Sequence, residues 1–197
     1  ILIQDVEIAN TTKYAIWIRG VSGHATIRDC WLHDFALYTG YPADTNAVQV
    51  TRADARNQPA GPIWFVGNRV EMRASNQFGG AGGVVCDTEN DTTSYPQQMF
   101  ITDNIFEQMG QAAPAQPIGS IRIYRNCDGS IIARNRIVNG WQAAIGVQRS
   151  SDVLILDSVI EGEQRADNGK PEGYYRVISV TGRQPLIPAR DIIVRGN

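Results

Sequence analysis

The sequence predicts an all-β solenoid, a single chain wound through about six coils of short, parallel-stacked strands. Three observations predict it. A phrase built from apolar residues around one polar position, most often Asn, returns along the whole chain. An alternating apolar segment lies between successive copies. β-Branched residues dominate the aliphatic set, with 22 Ile and 15 Val against 6 Leu, a balance that favours strands over helices.

The phrase reads "IWFVGNRVEM" from Ile63, "MFITDNIFEQ" from Met99, "IIARNRIVNG" from Ile131 and "IIVRGN" at the end. Aligning all copies puts Val6, Cys30, Asn68, Asn104, Asn135, Ser158 and Asn197 in one column, 24, 38, 36, 31, 23 and 39 residues apart. Three residues before it lie Ile3, Ile27, Phe65, Ile101, Ile132, Ile155 and Val194; two after it lie Ile8, Leu32, Val70, Phe106, Ile137 and Ile160. Between columns come "AIWIR", "AVQVT", "GVVCD", "SIRIY", "AIGVQ" and "VISVT", whose period of two is that of a strand with one buried face. Each repeat therefore holds a strand, a corner, a short strand, a loop, a third strand and a loop. A 23-residue minimum leaves little room for a helix, so stacked rungs about 4.8 Å apart are the economical solution. The recurrent Asn is expected to take the left-handed backbone of the corner and to hydrogen-bond up the column.

This pattern resembles the right-handed, single-stranded parallel β-helix superfamily typified by pectate lyases, with its asparagine ladder, over essentially the whole chain. The resemblance implies the fold and, in general terms, a polysaccharide-processing protein outside the cell or on a virion surface. It carries over no functional residue: the WiDH-like calcium phrase, the R-x-P-x-x-R signature and the G-H-G motif of polygalacturonases are absent, "GHA" at Gly23 being no match. "I-x-x-N-x-F" from Ile101 also fits half of a leucine-rich repeat, but scarce Leu and the irregular period argue against it. One domain over residues 1–197 is expected. Because the sequence opens and closes at the same phase of the repeat without a cap, it is expected to be a segment of a longer chain.

A net charge of −2 and a pI near 5.7 give no basic footprint for nucleic acid, and no apolar run approaches the roughly 20 residues of a membrane span. With 16 Arg against 2 Lys, the cations are of the kind that grip carboxylates in a planar fork. Cys30, Cys86 and Cys127 show no C-x-x-C spacing and read as small buried hydrophobes, with neither a zinc site nor a disulfide framework.

If the alternating segments form one sheet, Trp17, Gln49, Val85, Arg122, Gly146 and Ser179 point outward, followed by Arg19, Thr51, Asp87, Tyr124, Gln148 and Thr181. Arg52, Arg125 and Arg149 stand at the strand exits. Long loops flank this face, and with Trp17 and Tyr38, Tyr41, Tyr95, Tyr124, Tyr174 and Tyr175 they suggest an open groove for an extended polysaccharide. Trp17, Arg19, Gln49, Arg52, Arg125, Gln148 and Arg149 form the expected substrate-binding set.

Two mechanisms suit such a groove. In β-elimination from a uronic acid polymer, Arg122 would neutralise the carboxylate or act as base and Tyr124 would protonate the leaving oxygen. In glycoside hydrolysis two carboxyl groups flank the bond about 5 to 9.5 Å apart, and Asp87 with Glu89 or Asp91 is the nearby cluster. The plainer readings are Asp87 as an arginine partner at a strand end, Arg122 with Tyr124 as a cross-rung pair, and His33 with Asp34 as a capped corner. "DTENDTT" lacks the EF-hand Gly and Glu, so no cofactor is expected, with calcium a minor alternative. The leading expectation is a lyase or hydrolase, as in a phage tail-spike depolymerase, which would form a homotrimer. The alternatives are a non-catalytic glycan-binding adhesin or stalk, and a structural spacer.

Overall fold

A computed structural model describes residues 1–19, 23–35, 45–51, 61–72, 81–88, 96–107, 119–138, 143–161, 176–181 and 191–196. Among them every regular element is a strand. The first coil holds β1 (Leu2–Gln4), β2 (Glu7–Ala9) and β3 (Ile16–Arg19); the second β4 (Ala25–Arg28), β5 (Trp31–His33) and β6 (Thr45–Thr51). The third holds β7 (Ile63–Val66), β8 (Arg69–Glu71) and β9 (Ala81–Cys86); the fourth β10 (Met99–Thr102), β11 (Ile105–Glu107) and β12 (Ile121–Ile123). Then come β13 (Ile131–Ala133), β14 (Arg136–Val138) and β15 (Ala143–Gln148), followed by β16 (Leu154–Leu156), β17 (Val159–Glu161) and β18 (Arg176–Thr181), and β19 (Ile193–Arg195) opens another turn.

Each strand pairs in parallel with the strand three positions on. This builds a seven-stranded sheet A from β1 to β19 and six-stranded sheets B and C from β2 to β17 and β3 to β18. The chain is a parallel β-helix. The aligned apolar residues meet in register: Ile3 with Ile27, Ile27 with Phe65, Phe65 with Ile101, and on through Ile132 and Ile155 to Val194. Their inward side chains are fully buried from Ile27 to Ile155 and form one continuous core with Leu32, Val70, Phe106 and Ile137 of sheet B and the inward pairs of sheet C, Ile16/Ile18, Val48/Val50, Val84/Cys86, Ile121/Ile123 and Ile145/Val147, whereas Val180 on the last rung is exposed. Gly83 stands at a close approach of the next coil, since a Cβ there would run into the Ser120 carbonyl and the Phe106 ring.

The corner between sheets A and B separates two jobs that the sequence pattern assigned to one residue. Asn68, Asn104 and Asn135 are buried and form a ladder. The Asn68 side chain donates to Asn104 Oδ1 at 3.0 Å, and that of Asn104 to Asn135 Oδ1 at 2.9 Å. The same Asn104 oxygen accepts the Asn68 backbone N–H at 2.8 Å, and Asn104 Nδ2 also donates to the Phe65 carbonyl at 2.9 Å. The left-handed backbone falls one residue earlier, on Asp5, Asp29, Gly67, Asp103, Arg134, Asp157 and Gly196, with φ between 49° and 70°. The expectation that the Asn itself takes this conformation is thus corrected. The outward corner residue turns the chain, and the Asn behind it satisfies backbone groups that the turn takes out of the sheets.

The cysteines also differ from expectation. Cys30 is buried and free, but Cys86 and Cys127 form a disulfide across 41 residues, with Cα atoms 6.5 Å apart. Their separation reflects the coil period, which brings residues one rung apart into contact. No sequence spacing announces such a bridge.

Two stability predictions follow from these contacts. Asn104→Ala strands the Asn68 N–H and takes a donor from the Phe65 carbonyl, while Asn135 Oδ1 keeps the backbone N–H of residue 104, and urea denaturation should show a loss of about 2–4 kcal/mol. Replacing Cys86 and Cys127 together by Ala opens a 41-residue loop and should cost about 3–4 kcal/mol, measured the same way.

Candidate functional site

Sheet C carries the candidate site, because its outward columns alternate with the core-facing pairs and its register stacks them. Trp17 lies beside Gln49 and Arg19 beside Thr51; further along, Arg122 lies beside both Val85 and Gly146, and Gln148 beside Thr181. The Tyr124 N–H donates to the Cys86 carbonyl at 2.8 Å, which continues the register and sets Tyr124 one rung from Asp87.

A cleft of about 610 Å³ opens across the first four rungs of this face. Thr11, Thr12, Lys13 and Tyr14 make one wall, Trp17, Gln49 and Thr51 the floor, and Asp87 and Arg125 the far end. Trp17 is 54% exposed, yet its orientation is set: its indole N–H donates to Thr51 Oγ1 at 2.9 Å. The Tyr14 ring stands 5.9 Å from it at 48°, and the Arg19 guanidinium lies 5.7 Å from the Trp17 ring. Gln49 is buried and its amide oxygen accepts from Asn46 Nδ2 at 2.6 Å.

Asp87, Arg122, Tyr124 and Arg125 come together on one face. Arg125 holds Asp87 in a two-pronged grip, Nε to Oδ1 at 2.7 Å and Nη2 to Oδ2 at 2.6 Å, the geometry that favours Arg as a carboxylate partner. The guanidinium groups of Arg122 and Arg125 lie 4.6 and 5.0 Å from the Tyr124 ring. Gln148 is half-buried on the next rung, whereas Arg149 turns into a corner with φ 53° and is buried away from the open face. Glu89 and Arg52, with Asp91, Tyr38, Tyr41, Tyr95, Tyr174 and Tyr175, lie outside the described residues.

The wall from Thr11 to Tyr14 was not singled out by sequence reasoning. Its signal was present in "NTTKY", a short polar run with an aromatic end, directly before the strand that carries Trp17. Among the described residues no cluster of three or more His, Cys, Asp or Glu side chains could hold a metal ion. No family model, curated protein or solved structure matches the chain. The class is therefore defined by architecture: a parallel β-helix with an aromatic cleft on one sheet.

The Asp87–Arg125 pair is partly shielded and bidentate, so a double-mutant cycle with Asp87→Ala and Arg125→Ala should give a coupling energy of about 1–2 kcal/mol. Thermal or urea unfolding of the four proteins measures it.

Proposed function

We propose that the protein binds an extended glycan along sheet C, with the cleft around Trp17 as its principal sugar site. One observation carries this reading: a half-exposed indole is held at a fixed angle by Thr51 beside a second aromatic ring, amid hydroxyl and amide groups. Such a surface offers an apolar plate for the face of a sugar ring and hydrogen-bond partners for its rim. The aligned outward columns extend it along the coil axis, as a polymer requires.

Binding is favoured over glycoside hydrolysis because both oxygens of Asp87 are taken up by Arg125. A second reading, β-elimination, draws on Arg122 lying against the Tyr124 ring, which sets a cation beside a phenol. In that reading Arg122 neutralises a uronate carboxylate or acts as the base, and Tyr124 protonates the leaving oxygen. The Cys86–Cys127 disulfide supports a setting outside the reducing cytosol, such as an extracellular adhesin or a virion stalk.

Affinity electrophoresis in gels containing alginate, polygalacturonate, dextran or xylan tests the proposal. Retardation by at least one polymer is expected, with Trp17→Ala weakening it by about tenfold, or about 1.4 kcal/mol. Mobility unchanged in every gel would reject a glycan site. Incubation with the same polymers, followed for absorbance of unsaturated products and for new reducing ends, separates the two readings. Elimination predicts the absorbance, and its loss in Arg122→Ala and Tyr124→Phe.

A further inference from the structure

We propose that His33, bridged as an imidazolium between Glu7 and Asp34, is a pH-operated clamp that holds the Thr11–Tyr14 wall of the cleft in place. Its control over glycan binding rests on the reading of that cleft as a sugar site.

Geometry assigns the charge. His33 Nε2 lies 2.9 Å from Glu7 Oε1, and Nδ1 lies 2.8 Å from Asp34 Oδ2. An ionised carboxylate can only accept a hydrogen bond, so both ring nitrogens must donate, and only the doubly protonated ring does so. The side chain is 8% exposed and packs 4.2 Å from the Trp31 ring, so water contributes little to holding it. Among the described residues, the strand packed beside it, β8, carries two charged groups, Arg69 and Glu71. Glu71 is its register partner there and lies 3.4 Å from Arg69, and Arg69 is drawn onward to Glu107 at 2.8 Å. Arg69 thus serves Glu71 and Glu107, and Glu7 has His33 as its cation.

Position makes the clamp matter. β2 is three residues long and pairs with one described strand, β5. It leads straight through Asn10, at φ 56°, into Thr11, Thr12, Lys13 and Tyr14. The Glu7–His33 bridge joins the first coil to the second at the root of that wall.

Burial lowers the His33 pKa, but the hydrogen bonds and charges of Asp34 and Glu7 outweigh it and hold the value above the ordinary 6.5. The clamp is therefore complete below about 6.5, the unfolded value, and is lost as pH rises through the higher folded value. A neutral ring keeps one donor and turns a lone pair toward the other carboxylate, which weakens the bridge.

The test is amide exchange by NMR on the whole chain between pH 6 and 9, with the His33 ring followed in parallel and assigned by His33→Gln. Protection over residues 7–14 should fall by about tenfold or more with rising pH, the effect of losing one charge-assisted hydrogen bond. Protection in β11 and β14 should hold. Glu7→Gln should move the opening to lower pH. Retardation on whichever of alginate, polygalacturonate, dextran or xylan binds should weaken alongside. Flat protection, or a His33 midpoint below that of a free histidine, would overturn the clamp. If protection falls while retardation stays constant, control over binding is overturned and the clamp stands. If protection falls and no polymer retards the protein at any pH, the glycan reading fails and the clamp again stands.

Discussion

The structure depends on one constraint, the parallel register that places each residue beside its counterpart one coil on. The Asn68–Asn104–Asn135 ladder shows how that register is enforced. Each Asn amide reaches a neighbouring Asn and also the carbonyl that precedes the corner, as Asn104 does to Phe65 and Asn135 to Ile101. A slip of one residue would leave these buried groups unpaired and would turn every inward Ile and Phe of the adjoining strands outward. Polar and apolar terms therefore select the same register, and strands only three or four residues long can be specified without helices or long hairpins.

That agreement explains why the fold was legible. The column from Val6 to Ser158 and its flanks from Ile3 to Val194 are physical columns, because a solenoid converts sequence repetition into spatial adjacency. The inward pairs on sheet C could be read for the same reason. What sequence could not show is which neighbour of the Asn bends. Both the Asn and the Asp or Gly before it tolerate positive φ, and the choice follows from the Asn amide being needed inside. Cys86 and Cys127 were misread because their contact arises from coil length, which varies from repeat to repeat. Arg149, read as standing at a strand exit, lies at a corner with φ 53° and is buried, a burial that alternation within the strand does not report. The Thr11–Tyr14 wall belongs to a short connection, outside any repeat that would have marked it.

The three faces of the coil divide the chemistry. Outward residues of sheet A form an apolar row through Trp64, Phe100, Ile131, Leu154 and Ile193, with Thr26 separating it from Leu2 and with Trp64 and Phe100 stacked 5.4 Å apart. Sheet B presents charges that pair along the axis, Arg69 with Glu107 and Arg136 with Glu161. On sheet A the like residues Trp64, Phe100, Ile131 and Leu154 recur in one column, whereas on sheet B the ion pairs step off it, Arg69 facing Ile105 and Arg136 facing Val159.

Sheet C lacks that repetition. Its outward column reads Trp17, Gln49, Val85, Arg122, Gly146 and Ser179, and no two neighbours are alike. Partners are then found off the column, diagonally across rungs for Trp17 with Thr51 and Arg125 with Asp87, and two residues along the same segment for Arg122 with Tyr124. Diagonal contacts fix a side chain at one edge and leave its opposite face uncovered, whereas a ladder covers both faces. The exposed plate of Trp17 follows from this difference: Thr51 holds its N–H edge, and the adjoining outward residue, Gln49, is buried with its amide oxygen engaged by Asn46.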